Sequence, residues 1–153
     1  MPMSPEGYRV GPRSIQSMMK FSNAQAFHGA IGLRVDSGAT HGGRSLVTGK
    51  VTRRHLNVNG VVHGGVYATI LDTAMGWAVK TTCGPDEIMA TISLYIEFIR
   101  AARLGQTLVA RGKITRRGNH VAFCQGKLTD EKGILLAAAK GAWYVSQVIP
   151  KKK

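Results

Sequence analysis

NGVVHGGVYATILDTAMGWAVK, residues 59–80, is the stretch whose reading decides the fold. A His-Gly-Gly triplet precedes a run from Val66 to Val79 in which nearly every residue is apolar or small. A helix lying on a surface shows a polar face. This one is apolar around most of its circumference, so other elements are expected to wrap it. Its one charge between Gly64 and Val79 is Asp72. A carboxylate on a buried helix carries a desolvation cost, and sequences keep such groups mainly where they are used.

Upstream of this helix, expected over about residues 66–81, Ser14 is placed to cap a short helix, IQSMMKFSNAQAF, with Ile15, Met18, Met19 and Phe27 on its apolar side. GRSLVTGKVTRRHL then reads as a strand. Downstream, CGPDE breaks the chain and four strand-like segments follow. In the first, Ala90, Ile92, Leu94, Ile96 and Phe98 alternate with Thr91, Ser93, Tyr95 and Glu97, the period of a half-buried strand. QTLVARGKITRR, HVAFCQGKLTD and ILLAAAKGAWYVSQV complete the set, separated by Gly118-Asn119 and by Asp130 to Gly133. Sequential hairpins imply an antiparallel sheet. An α+β fold follows, a five-stranded antiparallel sheet curling around one long helix.

The 153 residues suit one domain. The expected boundaries are a Pro- and Gly-punctuated arm over 1–13, the domain over 14–148 and a basic tail over 149–153. Cys83 and Cys124 form no CxxC pair and no His/Cys cluster has zinc spacing, so no metal is expected. No apolar run reaches the roughly 18 residues of a membrane span, and the N-terminus lacks the apolar core of a signal peptide. A cytoplasmic protein with no membrane partner is expected.

The formal net charge is +13 and it is uneven. Residues 100–153 hold twelve Lys or Arg against two acids, whereas residues 55–99 hold one against four. That balance suits a polyanion: nucleic acid, an anionic membrane or a phosphorylated small molecule. The basic residues are dispersed along the chain without aromatic residues interleaved beside them on one strand, which argues against nucleic acid.

The first N–H groups of a helix lack intrahelical partners and carry the positive end of its dipole. Glycine lets another group approach the backbone closely. His63-Gly64-Gly65 is therefore a donor site for an anion or a polarised carbonyl oxygen, or simply the turn that starts a helix. Asp72 suits a general base toward water or a nucleophile, or else a hydrogen-bonded structural acid. Asn57 could orient a water or a carbonyl. The Thr91 hydroxyl could hold a water near a carboxylate, though most strand threonines do neither.

Asn57, His63, Gly64, Gly65 and Asp72 together resemble the signature of hotdog-fold acyl-CoA thioesterases, and the phenylacetate-degradation (PaaI-like) branch above all. The strand progression TISLYIEFIRAARLGQTLVARGKITRRGNHVAFCQGKLTDEKGILLAAAKGAW is similar too. The resemblance implies the hotdog fold, a curved antiparallel sheet of five to six strands around one central helix. It implies homodimers with sites at the interface, and homotetramers. Carried over, the Gly64 N–H would polarise a thioester carbonyl. Asp72 would activate water or attack directly, Asn57 and His63 would position substrate and loop, and Thr91 would hold the water. Arg116, Arg117, Gly118, Asn119 and His120 would lie along the pantetheine and phosphates of coenzyme A, with Gly65, Ser93 and Phe98 completing the substrate-binding set. Arg100 and Arg103 are further candidate phosphate donors.

No cofactor is implied, since coenzyme A enters as part of the substrate. The implied reaction is hydrolysis of aryl-acetyl or medium- to long-chain acyl-CoA, with an acyl-CoA-binding protein without turnover as the alternative. Two departures stand out: Ala101 or Ala102 where relatives usually carry a proline, and Gly76 where some branches carry a threonine. Gly64 and Asp72 lie about 12 Å apart along the helix at ~1.5 Å per residue. The Asp72 that serves a given Gly64 is therefore expected from a partner subunit.

Overall fold

A computed structural model describes residues 14–25 and 27–147. The expected arm (1–13) and basic tail (149–153) lie outside the described residues. The elements run α1 (Ile15–Gln25), α2 (Phe27–Ala30), β1 (Leu33–Val35), β2 (Arg44–Lys50), a 3-10 turn (Arg53–His55), α3 (Gly64–Lys80), β3 (Glu87–Phe98), β4 (Thr107–Arg117), β5 (Val121–Thr129) and β6 (Leu135–Gln147). The six strands form one antiparallel sheet in the order β1-β2-β4-β5-β6-β3. It curls around α3, the hotdog architecture that the resemblance implies. Among the described residues no helix is long and apolar enough to cross a membrane.

The core is the inner face of the sheet packed on one side of α3. Tyr67, Ile70, Leu71, Ala74, Met75, Ala78 and Val79 are buried there against Val47, Leu108, Ala110, Ala122, Leu128, Ala137, Trp143 and Val145. The opposite stripe of the helix is less enclosed than its composition implies: Val66, Thr69, Thr73, Trp77 and Lys80 stay half-exposed. Helix and sheet meet most closely at one row of paired residues, Ser45, Gly112 and Gly126. The Ser45 hydroxyl donates to the Ala74 carbonyl. A Cβ on Gly112 would stand 2.5 Å from the Ala74 oxygen, well inside contact distance.

The sheet's two edges differ. At β1 the Asn23 carboxamide of α1 donates to the Val35 carbonyl (3.0 Å) and accepts from the Val35 N–H (2.8 Å), standing in for another strand. β3 pairs only with β6, so its outer edge is open among the described residues. Ser14 caps α1 through the Ser17 N–H as expected, and Met19 is buried. Phe27 departs from expectation: it is 69% exposed, because the chain restarts as the separate four-residue α2 and leaves the apolar face of α1.

Two bulges change which side chains share a face. In β3 the register shifts between Thr91 and Ser93, so Ile92 is extruded. Before the shift the odd positions, Met89 and Thr91, face the helix; after it the even ones, Leu94, Ile96 and Phe98, do so. The uninterrupted alternation from Ala90 to Phe98 therefore fails at Ile92, which is 56% exposed. A second shift, between Ile114 and Arg116 in β4, sends Arg116 to the outer face opposite Phe123 and Arg117 to the inner face opposite Ala122.

The close seat of α3 gives a stability prediction. Gly112→Ala should lower the unfolding free energy by about 3 kcal/mol, at the upper end of overpacking costs, read from urea denaturation. A change under about 1 kcal/mol would show that the helix can lift off the sheet at little cost.

Candidate active site

The start of α3 is held by a relay of side chains. The buried His55 accepts from the Thr52 N–H at Nδ1 (3.0 Å) and meets the Ile31 carbonyl at Nε2 (2.8 Å). Its own carbonyl accepts from the His63 N–H (2.8 Å). His63 is the N-cap of α3: its backbone is extended (φ −63°, ψ 138°) and its Nδ1 accepts from the Gly65 N–H at 2.8 Å. A Cβ on Gly65 would lie 3.0 Å from that ring nitrogen, which explains the second glycine. With the Gly65 donor committed, the Gly64 N–H is left without a partner among the described residues. It lies at the positive end of the helix dipole.

Asn57 shapes the loop before this turn. Its Oδ1 accepts from the Asn59 N–H (2.9 Å) and the Val61 N–H (3.4 Å), with Gly60 at φ +73° closing the bend. Its acceptor is thus engaged with its own loop.

Beside Gly64 lies a cleft of about 230 Å³ lined by Val62, Gly64, Tyr67, Phe98, Ile99, Arg100 and Ala101. The Phe98 ring closes against the first glycine, where a Cβ would meet its Cε1 at 3.3 Å. Phe98 also stacks on Tyr67, ring centroids 6.1 Å apart. Tyr67 reads in the sequence as a core or pocket-lining residue, and what the sequence conceals is the work of its hydroxyl. Its hydroxyl accepts from the Ala102 N–H (2.7 Å) and donates to the Arg100 carbonyl (3.0 Å), tying the helix start to the segment after β3. Burial pushes the phenol's pKa up, which keeps that donor proton in place.

Two turns along, Asp72 is half-buried at the β3 edge, not deep in the core. The Thr91 hydroxyl donates to its Oδ1 at 2.9 Å. This contact exists because the bulge at Ile92 lets odd positions before it face the helix. Ser93, beyond the bulge, is exposed on the outer face opposite Ala142. Gly76 follows one turn after Asp72; a Cβ there would meet the Met89 Cε at 3.3 Å.

The Arg116–His120 segment forms the β4–β5 turn, at the end of the sheet away from Gly64. Arg117 donates to the Glu87 carboxylate (3.1 and 3.2 Å) and to the carbonyls of Gly118 and Asn119. The Gly84 N–H and the Arg117 guanidinium hold the Glu87 carboxyl below its ordinary pKa. Arg116 is exposed and unpaired among the described residues, so the two arginines act separately. The Gly118 N–H bonds the Val121 carbonyl (2.8 Å), and His120 stacks on Tyr144 with centroids 6.5 Å apart. Arg100 is tied to the Leu135 carbonyl (3.0 Å). Burial raises both thiols, Cys124 to about 12, so neither is a ready nucleophile. No cluster of metal-binding side chains occurs among the described residues.

The structure thus brings together two pairs: Gly64 with Phe98, and Asp72 with Thr91. It does not bring the pairs to each other, nor the β4–β5 turn to Gly64, within one chain.

The family model of the thioesterase superfamily matches residues 59–137, just over half of the chain. The chain is 31% identical over 98 residues to the medium/long-chain acyl-CoA thioesterase YigI of Escherichia coli, covering 56% of this chain and 63% of that protein, less than two thirds of its length. It is 27% identical over 128 residues to human acyl-coenzyme A thioesterase 13, covering 82% and 87%. A variant of the phenylacetic acid degradation protein PaaI from Thermus thermophilus superposes with a TM-score of 0.70 at 25% identity, over 77% of this chain and 96% of that one.

The cap geometry is testable on its own. His63→Ala should cost about 1 kcal/mol of stability, the usual worth of an N-cap acceptor. His63→Asn, which keeps an acceptor, should recover most of it in urea denaturation. Equal midpoints for all three would show that the Gly65 N–H needs no cap.

Proposed function

Because the chain belongs to the thioesterase superfamily, we propose that it hydrolyses acyl-coenzyme A thioesters to the free acid and coenzyme A. The observation that carries this reading is the layout of α3. At its first residue it offers an N–H without a partner among the described residues, and farther along a carboxylate with one oxygen held by Thr91.

The chemistry needs three things. The carbonyl oxygen sits at the Gly64 N–H, where charge develops as the tetrahedral intermediate forms. Asp72 takes a proton from water as the water oxygen bonds to the carbonyl carbon. The C–S bond then breaks, and the departing coenzyme A thiolate accepts a proton from Asp72. A thiolate is stable enough to leave without a dedicated acid. Thr91 keeps the carboxylate oriented, and no cofactor is required. The acyl group, aryl-acetyl or medium to long chain, takes the apolar cleft of Tyr67, Phe98 and Ile99.

Gly64 and Asp72 lie too far apart on one helix to act on one carbonyl. The open edge of β3 supports a partner subunit. It is twelve residues long and carries exposed Ile88, Ile92, Tyr95 and Phe98, a surface that a lone chain would leave prone to association. Antiparallel pairing of two β3 strands runs the Thr91 end of one along the Phe98 end of the other. Asp72 of one chain then approaches Gly64 of its partner, and the β4–β5 turn with Arg116 approaches the same site. Pairs of such dimers, as homotetramers, are compatible with this arrangement.

In an acyl-CoA panel, Asp72→Asn should lower kcat at least ~100-fold, within what a general base supplies. Gly64→Pro should lower kcat by roughly 100- to 1000-fold, because it removes one N–H while suiting a first helical position. Gly64→Ala keeps the donor and should retain far more activity. Mixing the two inactive variants should restore about a quarter of native activity, since half the dimers are hybrids with one intact site of two. Equal rates for native and Asp72→Asn protein would sink the mechanism. Native protein that binds acyl-CoA without turnover would establish the binding-protein alternative.

A further inference from the structure

A net charge of +13 exceeds what an acyl-coenzyme A site requires, and the strand register gathers much of it on one surface. On the face of the sheet turned away from α3, directly paired residues form rows across the strands. One row runs Arg44, Lys113, Gln125, Lys140 and Tyr95 over β2, β4, β5, β6 and β3. At ~4.8 Å per strand it spans about 19 Å. The row on one side runs Leu46, Arg111, Lys127, Ala138 and Glu97, and that on the other Arg116, Phe123, Ala142 and Ser93. Tyr144 lies in the next row, opposite Val121. Residues scattered from 44 to 144 thus converge through pairing, and the dispersal along the chain that argued against a nucleic-acid surface is undone in three dimensions.

The surface has a shape as well as a charge. Between the first two rows lies a trough of about 510 Å³, with Arg44 and Lys113 on one bank and Arg111 and Lys127 on the other. Its floor includes Ser45, Gly112 and Gly126, the row whose inner side meets α3. No carboxylate lines it, and the one carboxylate in these rows is Glu97, at the β3 edge. The single salt bridge among the described residues joins Arg117 to Glu87 and draws on none of these cations. On the same face three rings are exposed in part: Phe123 by 46%, Tyr144 by 48% with His120 stacked on one side, and Tyr95 by 56%. Lys140 Nζ lies 5.2 Å from the Tyr95 ring centroid.

We propose that this outer sheet face binds single-stranded nucleic acid, with phosphates along the basic trough and bases stacked on Phe123, Tyr144 and Tyr95. A positive groove beside open aromatic rings is the combination that sequence-tolerant single-strand binding uses. A second copy is a poor occupant, because two-fold packing would set cations against cations. A flat bilayer meets a convex sheet only along its crest and cannot follow the trough. A duplex offers phosphates but keeps its bases stacked within, so the rings would find no partner.

The test uses the full chain and a fluorescein-labelled oligouridylate of about 20 nucleotides, long enough for a site of this size. Anisotropy should report binding that weakens steeply with salt. The triple variant Arg111→Gln, Lys113→Gln, Lys127→Gln should bind at least ~10-fold more weakly. Its log–log salt slope should be smaller by about 2, at ~0.7 per single-strand phosphate contact. Phe123→Ala with Tyr144→Ala should also weaken binding at least ~10-fold, with the salt slope unchanged. Acyl-CoA turnover should be native in both variants. No binding to the native chain would overturn the proposal. So would affinity indifferent to the aromatic pair, which marks bare charge attraction. Preference for phosphatidylglycerol vesicles over the oligonucleotide would assign the face to a membrane instead, and a changed oligomeric mass in the triple variant with unchanged oligonucleotide affinity would assign it to a subunit contact.

Discussion

The rest of the molecule depends on how closely α3 sits on the sheet. At Ala74 the helix backbone touches the sheet backbone at Gly112, with the Ser45 hydroxyl bonded to the same carbonyl. A side chain of any size at Gly112 would push the helix outward. That seat fixes the helix against the strands along its whole length. Its start falls beside Phe98 and its middle beside Thr91, because α3 and β3 run in opposite senses. The positions of Gly64 and Asp72 therefore follow from packing far beneath either of them.

The two sheet edges show a division of labour. Asn23 satisfies the backbone of β1 with a side chain, so that edge is closed from within the chain. The edge at β3 is twelve residues long, has no strand partner on its outer side among the described residues, and carries Thr91 and Phe98. A carboxylate at an open edge keeps access to water, whereas one in the core would not. On the proposed reading, the half-exposed stripe of α3 and the open strand are two parts of one seam, across which a partner supplies what each chain lacks.

The large features were legible in the chain. The apolar run of α3 and the four late strands gave the helix-in-sheet architecture, and the glycines after His63 marked the helix start; sequential hairpins hold only for β4, β5 and β6, because β3 pairs with β6 and not with β4. The losses trace to bulges. An extra residue in a strand leaves no mark on hydrophobic alternation when it is itself apolar, and Ile92 is such a residue. Read without it, Thr91 falls on the face away from the helix; with it, Thr91 meets Asp72. The bulge between Ile114 and Arg116 likewise parts two arginines that read as a pair. His55 escaped notice, and the ties of the Tyr67 hydroxyl could not be read, because their partners, Ile31 and Ala102, are remote in sequence. The rows of cations and rings on the outer face were equally hidden, since they exist only once strand register is set.

By itself the sequence determined what is local: a mostly apolar helix, a glycine pair at its start, a lone acid two turns on, and a strongly basic chain. Those follow from periodicity, from the donors left free at a helix terminus and from composition, none of which needs a distant partner. Tertiary structure decided which face each strand residue takes, that Thr91 rather than a cation holds Asp72 among the described residues, that Arg117 is bound to Glu87 while Arg116 turns to the outer face, and that scattered lysines and arginines line one trough. The reason is that strand pairing and bulges are set by contacts between segments. A shift of one residue turns a side chain from the core to the solvent, and no single segment records which way it went.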